Sequence, residues 1–550
     1  MSRARLSVYC FSFVIGSFIL FQSSLSSGFV SDDWHWLWVA HERRSALPDL
    51  SANIIGERTG GSYNPVSSLM VNSLFQAFGL RPRPFHAASI VLHGVNAFLV
   101  YLLAVRWRKL FPGAAYGRAA PFVAGVLFLI WPTHVEAVAW MASVPHVLAT
   151  FFFLFSVIFY LQWRGEGRWS YFVISLISAL LAFGSKEIAL SLPIVILILE
   201  ALYQLTSRKR LAARPFVPAF CFFAIALIFV IMRWQATGLW LGTYADQGLI
   251  IRVQTWAHTF LTFFEEMLTL GTMRQAWSAF YFDEPRVTIL ISVIPIAVLV
   301  LFTLRRNLLG IGAFLLFFVA TILPYIPLGF NRLSAEGERY TYLPSVFFIL
   351  VVSLVLARLP KPFVRFAVSG ALVAVCIFLA APKIDSWHIA SAAAQDIVAD
   401  FQDHVSPSVM RYVFVLLPDT IGGAHVFRNN IVEAIRLTSA DAPRDMVQIP
   451  VYLQMDASQY RDEVVRWRSD DRGYFAETAP GMLMITGVDR AETGLLTYEL
   501  WGYDYDVFSS DMVRILLSEE LRQELIAGTA KMLTWDRGAL REVPYDPEPS

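Results

Sequence analysis

The sequence has little charge and little cysteine. Only 16% of its 550 residues are Asp, Glu, Lys or Arg, and the formal net charge is +1. This balance gives no electrostatic basis for binding nucleic acid. The three cysteines, Cys10, Cys221 and Cys376, all lie in apolar runs, so they predict neither a disulfide framework nor a metal site.

Apolar residues are abundant instead. They make up 56% of the chain, with 15% aromatic residues, and the mean hydropathy of +0.54 is typical of a polytopic membrane protein. A helix needs about 20 apolar residues to cross roughly 30 Å of hydrocarbon, and by that measure the chain has about 11 transmembrane helices. We place them near 7–26, 85–105, 119–139, 144–162, 169–185, 188–205, 215–233, 287–304, 308–328, 340–358 and 364–381.

The first apolar run has two interpretations. The basic start and apolar middle of MSRARLSVYCFSFVIGSFILF are typical of a signal peptide, and SLSSG resembles a cleavage region. The alternative is a retained first helix. The distribution of basic residues between the predicted spans supports the retained helix.

Basic residues between the spans predict the orientation. Lys and Arg are enriched in cytoplasmic loops, and the basic clusters fall on one side of the predicted spans. The N-terminus is therefore predicted to be cytoplasmic, and the part after residue 382 extracytoplasmic. The clusters are Arg3 and Arg5; Arg106, Arg108 and Lys109; Arg164 and Arg168; Arg208, Lys209 and Arg210; Arg305 and Arg306; and Arg358 and Lys361.

Two further regions do not follow the pattern of simple spans. The stretch 249–272 carries Glu265 and Glu266 on a helical apolar period, which predicts an amphipathic helix on or dipping into the outer surface. Residues 383–550 have the composition of a small α/β domain that follows the membrane domain 1–382. RYVFVLL, VQIPVYLQM, GMLMITGV and GLLTYELWGY predict strands, and SDMVRILLSEELRQELIAGTAKML predicts a helix capped by Ser510.

Four predicted outer segments carry most of the residues capable of chemistry: SDDW at 31–34, PTHVEAVAWMASVPH at 132–146, GSKE at 184–187 and NRLSAEGERYTYLP at 331–344. Transfer of a group from a lipid-linked phosphate to a hydroxyl needs a carboxylate base and cations that stabilise the departing phosphate. Asp32 or Asp33 suits the first role. Lys186, Arg339 and Arg332 suit the second.

Each of these signals has a structural alternative. The two aspartates could cap the following helix, and Trp34, Trp36 and Trp38 alternate as in an extended or interfacial segment. His134 and Glu136 could hold a divalent cation with the aspartates, His134 could bind a phosphate oxygen, or both could belong to a loop-to-helix network. His86 and His93 lie seven apart on one helical face, where a buried polar network is the favoured interpretation.

Several stretches resemble a known family. The segments 63–103, 132–149, 185–193 (SKEIALSLP) and 338–345 (ERYTYLPS) resemble the membrane half of the transmembrane, TPR-containing O-mannosyltransferases and their bacterial relatives, which are C-type (GT-C) glycosyltransferases. The resemblance covers roughly residues 10–380. The chain departs from the family at Asn64, where Tyr-Arg-Pro is usual, and at Ser143–His146. An α/β domain also stands in place of the TPR array.

The resemblance implies a GT-C-like enzyme that uses a polyprenyl-phosphate sugar donor, with Asp32 or Asp33 as base and inversion at the anomeric carbon. Positions matching family motifs near the donor phosphate are Lys186, Glu187, Glu338 and Arg339, beside which Tyr340 is a further candidate. The predicted partners are the donor, membrane lipid and an acceptor that is protein, lipid or glycan. No cofactor is required, and a divalent cation stays open. The alternatives are a membrane transporter, which would favour mid-membrane sites in repeated halves, and a non-catalytic assembly protein of the cell envelope.

Overall fold

The described residues form two compact units, each considered by itself. One unit consists of those within 1–25, 43–332 and 336–382, and the other of those within 26–42 and 383–550. The predicted division into domains at 382 and 383 stays a prediction. The computed structural model describes residues 3–42, 63–110, 119–206, 216–238, 240, 253–272, 312–325, 337–359, 361–459, 461–462, 465–478, 483–485, 490–492, 494–501 and 510–546.

The first unit is helical. Proline begins several of its helices, which suits a residue that lacks an N–H but fits the first helical turn. The bounds are Arg3–Leu20, Pro65–Phe78, Pro82–Leu110, Ala120–Leu129, Val135–Ala139, Val144–Glu166, Trp169–Ser185, Leu192–Thr206, Val217–Thr237, Val253–Thr269, Gly312–Tyr325 and Tyr342–Ala357. A further helix, Pro362–His404, begins in this unit and continues into residues of the second.

Six described helices are long and apolar enough to cross a membrane, and a seventh span results if Ala120–Leu129 and Pro132–Ala139, bent by 48°, are one. Three shorter apolar helices add Ala4–Leu20, Trp169–Ser185 and Gly312–Tyr325. The helical membrane-type architecture is therefore confirmed, but the count of 11 spans is not. The predicted span 287–304 lies outside the described residues.

The first helix packs closely within its unit. A Cβ added to Gly94 would lie 2.6 Å from the Cα of Val14, so the helices Arg3–Leu20 and Pro82–Leu110 touch through their backbones. Ser17 Oγ donates to the Ile90 carbonyl oxygen at 2.8 Å across the same contact. The first apolar run is therefore part of the packed helical unit.

The amphipathic segment is helical from Val253 to Thr269, as predicted. Its two acids are not at a wet surface, however: Glu265 and Glu266 are 3% and 0% exposed. Phe263 and Phe264 of the same turn pack on aromatic residues of Gly312–Tyr325. Apolar packing on this face thus draws the neighbouring carboxylates into the unit. Arg252 lies outside the described residues.

The described residues of the second unit form three sheets, in agreement with the α/β prediction for its C-terminal part. The strands are β1 (Arg411–Phe414), β2 (Leu417–Ile421), β3 (Ala424–His425), β4 (Asp445–Gln448), β5 (Val451–Met455), β6 (Val465–Asp470), β7 (Gly473–Thr478), β8 (Leu483–Ile485), β9 (Arg490–Glu492), β10 (Leu496–Trp501), β11 (Met512–Leu517), β12 (Ala530–Asp536) and β13 (Ala539–Glu542). The sheet orders are β13-β12-β1-β4, β3-β2-β5-β8 and β6-β7-β11-β10-β9.

Two stretches of this unit, 411–421 and 445–455, each contribute one strand to each of two sheets. β1 pairs in parallel with β4 and β12, and after a bend at Leu416 (φ 48°) the chain continues as β2, which pairs in parallel with β5. The helix Ile431–Thr438 lies between these strand pairs in sequence, which forms a β-α-β connection. The strand predicted at RYVFVLL is confirmed in β1.

The predicted helix starting at Ser510 is wrong. The segment instead forms β11, the short helix Glu519–Ile526 and β12. Residues in β11 alternate between buried and partly exposed positions, which is the period of a strand. Ser518, not Ser510, caps the helix: its Oγ accepts from the Leu521 N–H at 3.2 Å, and Glu519 and Glu520 follow in the first turn.

Candidate active site

Glu136 and Arg339 form a buried ion pair in the helical unit. Glu136 lies on the one-and-a-half-turn helix Val135–Ala139, and its carboxylate is fully buried. It accepts from the guanidinium of Arg339. It also accepts from the backbone N–H groups of Arg339, at 2.6 Å, and of Gly337, at 3.4 Å. One carboxylate thus holds both the side chain and the backbone of the ERYT turn, Glu338–Thr341.

Aromatic rings enclose the guanidinium of Arg339. Its Cζ lies 5.0 Å from the ring centroid of Trp140 and 4.8 Å from that of Tyr340. Its second terminal nitrogen donates to the Tyr340 hydroxyl at 3.2 Å. The Arg339 side chain is only 14% exposed, and cation–π contacts gain strength where water is excluded. Arg339 is therefore a desolvated, oriented cation.

A hydrogen-bonded aromatic group continues from Tyr340. The Tyr325 ring lies 4.9 Å from the Tyr340 ring, and its hydroxyl is 3.0 Å from Nδ1 of His146. His146 in turn lies within electrostatic reach of Lys186 and Arg339. The motifs at 132–146, 184–187 and 338–345 therefore contribute to one charged cluster in the helical unit.

Lys186 and Glu187 occupy the break between two helices. Lys186 terminates Trp169–Ser185, and its Nζ lies 3.5 Å from Oε1 of Glu187. With its amide in the orientation that satisfies its neighbours, Asn64 donates to Oε2 of Glu187 at 3.2 Å. Arg233, a buried residue of Val217–Thr237, also lies within electrostatic reach of Glu187. Asn64 therefore contacts this group as an amide donor, and Arg233 supplies a second buried cation.

His134 belongs to a structural network. Its Nδ1 is 2.8 Å from the Phe128 carbonyl oxygen and its Nε2 is 2.7 Å from Ser345 Oγ. His93 makes the same kind of contacts, with Tyr342 Oη at 2.8 Å and the Leu129 carbonyl oxygen at 2.9 Å. Both ring nitrogens of each histidine are therefore engaged. This agrees with the buried polar network predicted for His93, and a role of His134 at a phosphate stays a prediction.

The acidic pair begins the helix Asp32–Glu42 of the second unit. Asp33 is fully buried, and its Oδ2 accepts from the Val30 N–H, just before the first residue of the helix, at 3.0 Å. Asp32 is partly exposed, and its Oδ1 accepts from Nδ2 of Asn430 at 3.2 Å. The two carboxylates therefore have different surroundings. The three tryptophans lie on this helix and not in an extended segment, which corrects that expectation.

Two of the remaining predictions concern a metal and Arg332. No group of three or more His, Cys, Asp or Glu side chains within the described ranges has a geometry that could hold a metal ion. His134 and Glu136 engage different partners, Ser345 and Arg339, and a cation held by this pair stays a prediction. Arg332 lies outside the described residues.

The comparisons with known proteins point to one group of enzymes. No protein-family model matches the chain. The protein O-mannosyl-transferase Tmtc1 of Drosophila melanogaster is 27% identical over 183 residues, which are 32% of this chain and 20% of that protein. The protein O-mannosyl-transferase TMTC2 of Mus musculus is 33% identical over 101 residues, 18% of this chain and 11% of that protein. Part of this chain is homologous to the Tmtc protein O-mannosyl-transferases.

The Tmtc homology confirms the predicted resemblance at the level of the family. The matched segments span a fifth or less of each Tmtc relative. Together with the apolar helices, the homology indicates a multi-pass integral membrane protein.

Four residues of the charged cluster have contacts that the sequence pattern did not predict: Asn64, which donates to Glu187, and Tyr325, His146 and Arg233. Arg233 carried a signal, since an ionisable residue within an apolar span is rarely there without a role.

Proposed function

We propose that the chain is a membrane glycosyltransferase that moves a sugar from a polyprenyl-phosphate donor to an acceptor hydroxyl on the extracytoplasmic face. The observation that carries this proposal is the desolvated Arg339 of the helical unit, held by Glu136 and accompanied by Lys186. Buried cations of this kind suit a phosphate in a lipid-linked donor. The homology to named O-mannosyl-transferases supports mannose as the sugar and a protein hydroxyl as the acceptor.

The chemistry is a single displacement. The acceptor oxygen attacks the anomeric carbon of the sugar, and the bond between that carbon and the phosphate oxygen breaks. The electron pair leaves with the polyprenyl phosphate, and the configuration inverts. Arg339, Lys186 and Arg233 offset the negative charge that the phosphate gains, with Tyr340 and Glu338 beside Arg339 in the same turn. Glu187 orients Lys186, and Glu136 orients Arg339.

Asp32 takes the acceptor proton in this proposal. It is the partly exposed member of the pair, so a hydroxyl can approach it, whereas Asp33 is fully buried and bonded to the Val30 N–H. General base catalysis requires hydrogen-bond reach between the carboxylate and the hydroxyl. Asp33 fixes the start of the helix that carries the base.

The test uses the full chain in proteoliposomes with radiolabelled polyprenyl-phosphate mannose, a panel of other polyprenyl-phosphate sugars and a Ser/Thr-containing peptide. We expect donor-dependent labelling of the peptide, reduced by about 10²-fold or more in Asp32→Asn. Glu42→Gln is the matched control, because it makes the same chemical change at an exposed position of the same helix. Unchanged transfer in Asp32→Asn would contradict the mechanism.

A different outcome would redirect the function. If no sugar donor is consumed with peptide, lipid and glycan acceptors all supplied, the transporter and assembly-protein alternatives replace the enzyme. Transport would then be measured as uptake of the same sugars or their lipid carriers into the proteoliposomes.

A further inference from the structure

The segment that carries the acidic pair is held by residues almost 400 positions away. Asn430 donates to Asp32 across a sequence separation of 398. One residue earlier, the Ser31 N–H donates to the Val426 carbonyl oxygen at 2.8 Å. The helices Asp32–Glu42 and Ile431–Thr438 also pack against each other. All of these residues belong to the second unit, so the acidic pair is seated on the α/β fold.

Asn430 stands at the N-cap position of a helix but does not cap it with its side chain. It precedes the helix Ile431–Thr438, where an Asn side chain normally accepts from the backbone of the first turn. Here the side chain makes no such capping bond and is directed to Asp32 instead. Its backbone is left-handed, with φ 71°, a conformation that Asn tolerates better than most residues. The local helix therefore does not account for the amide.

A buried ion pair holds the loop that carries Asn430. Arg428 donates from Nε and from a terminal nitrogen to the two oxygens of Asp419, both at 2.8 Å, and Asp419 is fully buried. The Val426 N–H donates to the Asp419 carbonyl oxygen at 2.9 Å. Gln448, on β4, donates to the Phe427 carbonyl oxygen at 2.8 Å. Bidentate pairs of this kind restrict geometry as well as adding stability.

We propose that Asn430 is a positioning residue for Asp32, through which the α/β domain takes part in sugar transfer. This inference rests on the function proposed above. A donor on Oδ1 fixes the rotation of the carboxylate, and with it the direction of the oxygens that can accept a proton. Small misplacements of a reacting group lower rates steeply. By holding Asp32 in place, the domain therefore affects the rate of proton transfer without itself contacting the substrate.

The neighbouring Asn429 provides a matched control, since it is the same residue type, one position earlier and exposed. Asn430→Gly removes the amide while keeping a residue that tolerates a positive φ. Asn430→Asp keeps the shape but places a second carboxylate against Asp32. Asn429→Gly and Asn429→Asp make the same changes away from the acidic pair. All four are made in the full chain and assayed with polyprenyl-phosphate mannose and peptide.

We expect kcat to fall by about 10-fold to 100-fold in Asn430→Gly, as for loss of a hydrogen bond to a charged group, and further in Asn430→Asp, with the KM for the donor unchanged. The Asn429 variants should keep the wild-type kcat. A KM increase with an unchanged kcat would reduce Asn430 to a purely structural role and overturn the proposal.

Hydrogen exchange of the amides 31–38 separates this inference from the proposed function, because it needs no substrate. If Asn430 holds the segment, exchange should accelerate in Asn430→Gly and not in Asn429→Gly. Unchanged exchange would refute the positioning contact even if sugar transfer is confirmed. If exchange accelerates but no variant or wild-type protein consumes any donor, the contact stands and the glycosyltransferase proposal fails.

Discussion

The pair formed by Glu136 and Arg339 offers the sharpest test of the helical unit. Glu136→Gln keeps the shape of the side chain but removes its charge. The amide oxygen of the new glutamine can still accept a hydrogen bond from one of the two backbone N–H groups that now donate to Glu136. Its NH₂ group would face donors in either orientation: the Arg339 guanidinium together with the Gly337 N–H, or the Arg339 backbone N–H. The substitution therefore leaves a nearly buried cation without its carboxylate and sets donor against donor.

The magnitude follows from this burial. Removing one partner of a buried ion pair costs about 3–5 kcal/mol because the other charge stays desolvated. Arg339 is 14% exposed and keeps its contacts with Trp140 and Tyr340, so we expect the lower end of that range. A guanidinium displaced by ~1 Å would lower sugar transfer by about 10²-fold. Stability and activity should therefore both fall in Glu136→Gln.

A double-mutant cycle separates the two effects. Adding Arg339→Gln to Glu136→Gln removes the orphaned charge, so the double variant should recover part of the thermal stability, measured by unfolding in detergent. Transfer should stay at least as low as in Glu136→Gln, because the cation that meets the phosphate is gone. If transfer recovers together with stability, Arg339 is structural, and its proposed role at the donor phosphate is refuted.

Two further predictions concern the α/β unit and the orientation of the chain. Burial by itself would raise the pKa of Asp419, but Arg428 and His425 lower it below its usual range. The stability that this gives is present above the ordinary aspartate pKa of about 3.9. It is lost as the pH falls through the lower pKa of Asp419 in the folded protein. Denaturation followed from pH 7 to 2 should therefore show a loss of stability below about pH 4 that Asp419→Asn flattens, and an unchanged acid profile would contradict the pair. For the orientation, a cysteine in place of the exposed Ser408, in a chain lacking Cys10, Cys221 and Cys376, should react with an impermeant maleimide from the extracytoplasmic side; labelling only from the cytoplasm would reverse the proposed topology.

Local patterns in the sequence predicted most of the helical unit. Apolar runs indicate where helices form, because a helix needs about 20 apolar residues to cross the hydrocarbon of a membrane. Motifs such as SKE and ERYT are local too, since each lies at a break or turn beside a helix. The local pattern did not indicate which partner each side chain contacts. His134 and Glu136 are two residues apart, yet packing directs one to Ser345 and the other to Arg339.

The failures of prediction have particular causes. The segment after Ser510 contains good helix formers, but its first six residues are taken up by pairing with β7 and β10, which no local propensity reveals. Glu265 and Glu266 were expected near water because charged residues usually are, and the aromatic packing of their helix overrides this. The role of Asn430 depends on a contact across 398 residues, beyond the reach of any pattern in a short window.

That long contact has a consequence for the life of the newly made protein. At about 5–20 residues per second, roughly 20–80 seconds separate the synthesis of Asp32 from that of Asn430. The sheet that carries β1 also needs β12, whose Ala530 pairs with Arg411. The acidic pair therefore emerges from the ribosome long before the fold that seats it exists. Unfinished chains would hold Asp32, the proposed base, loosely, which would delay the proposed sugar transfer until the α/β fold has formed.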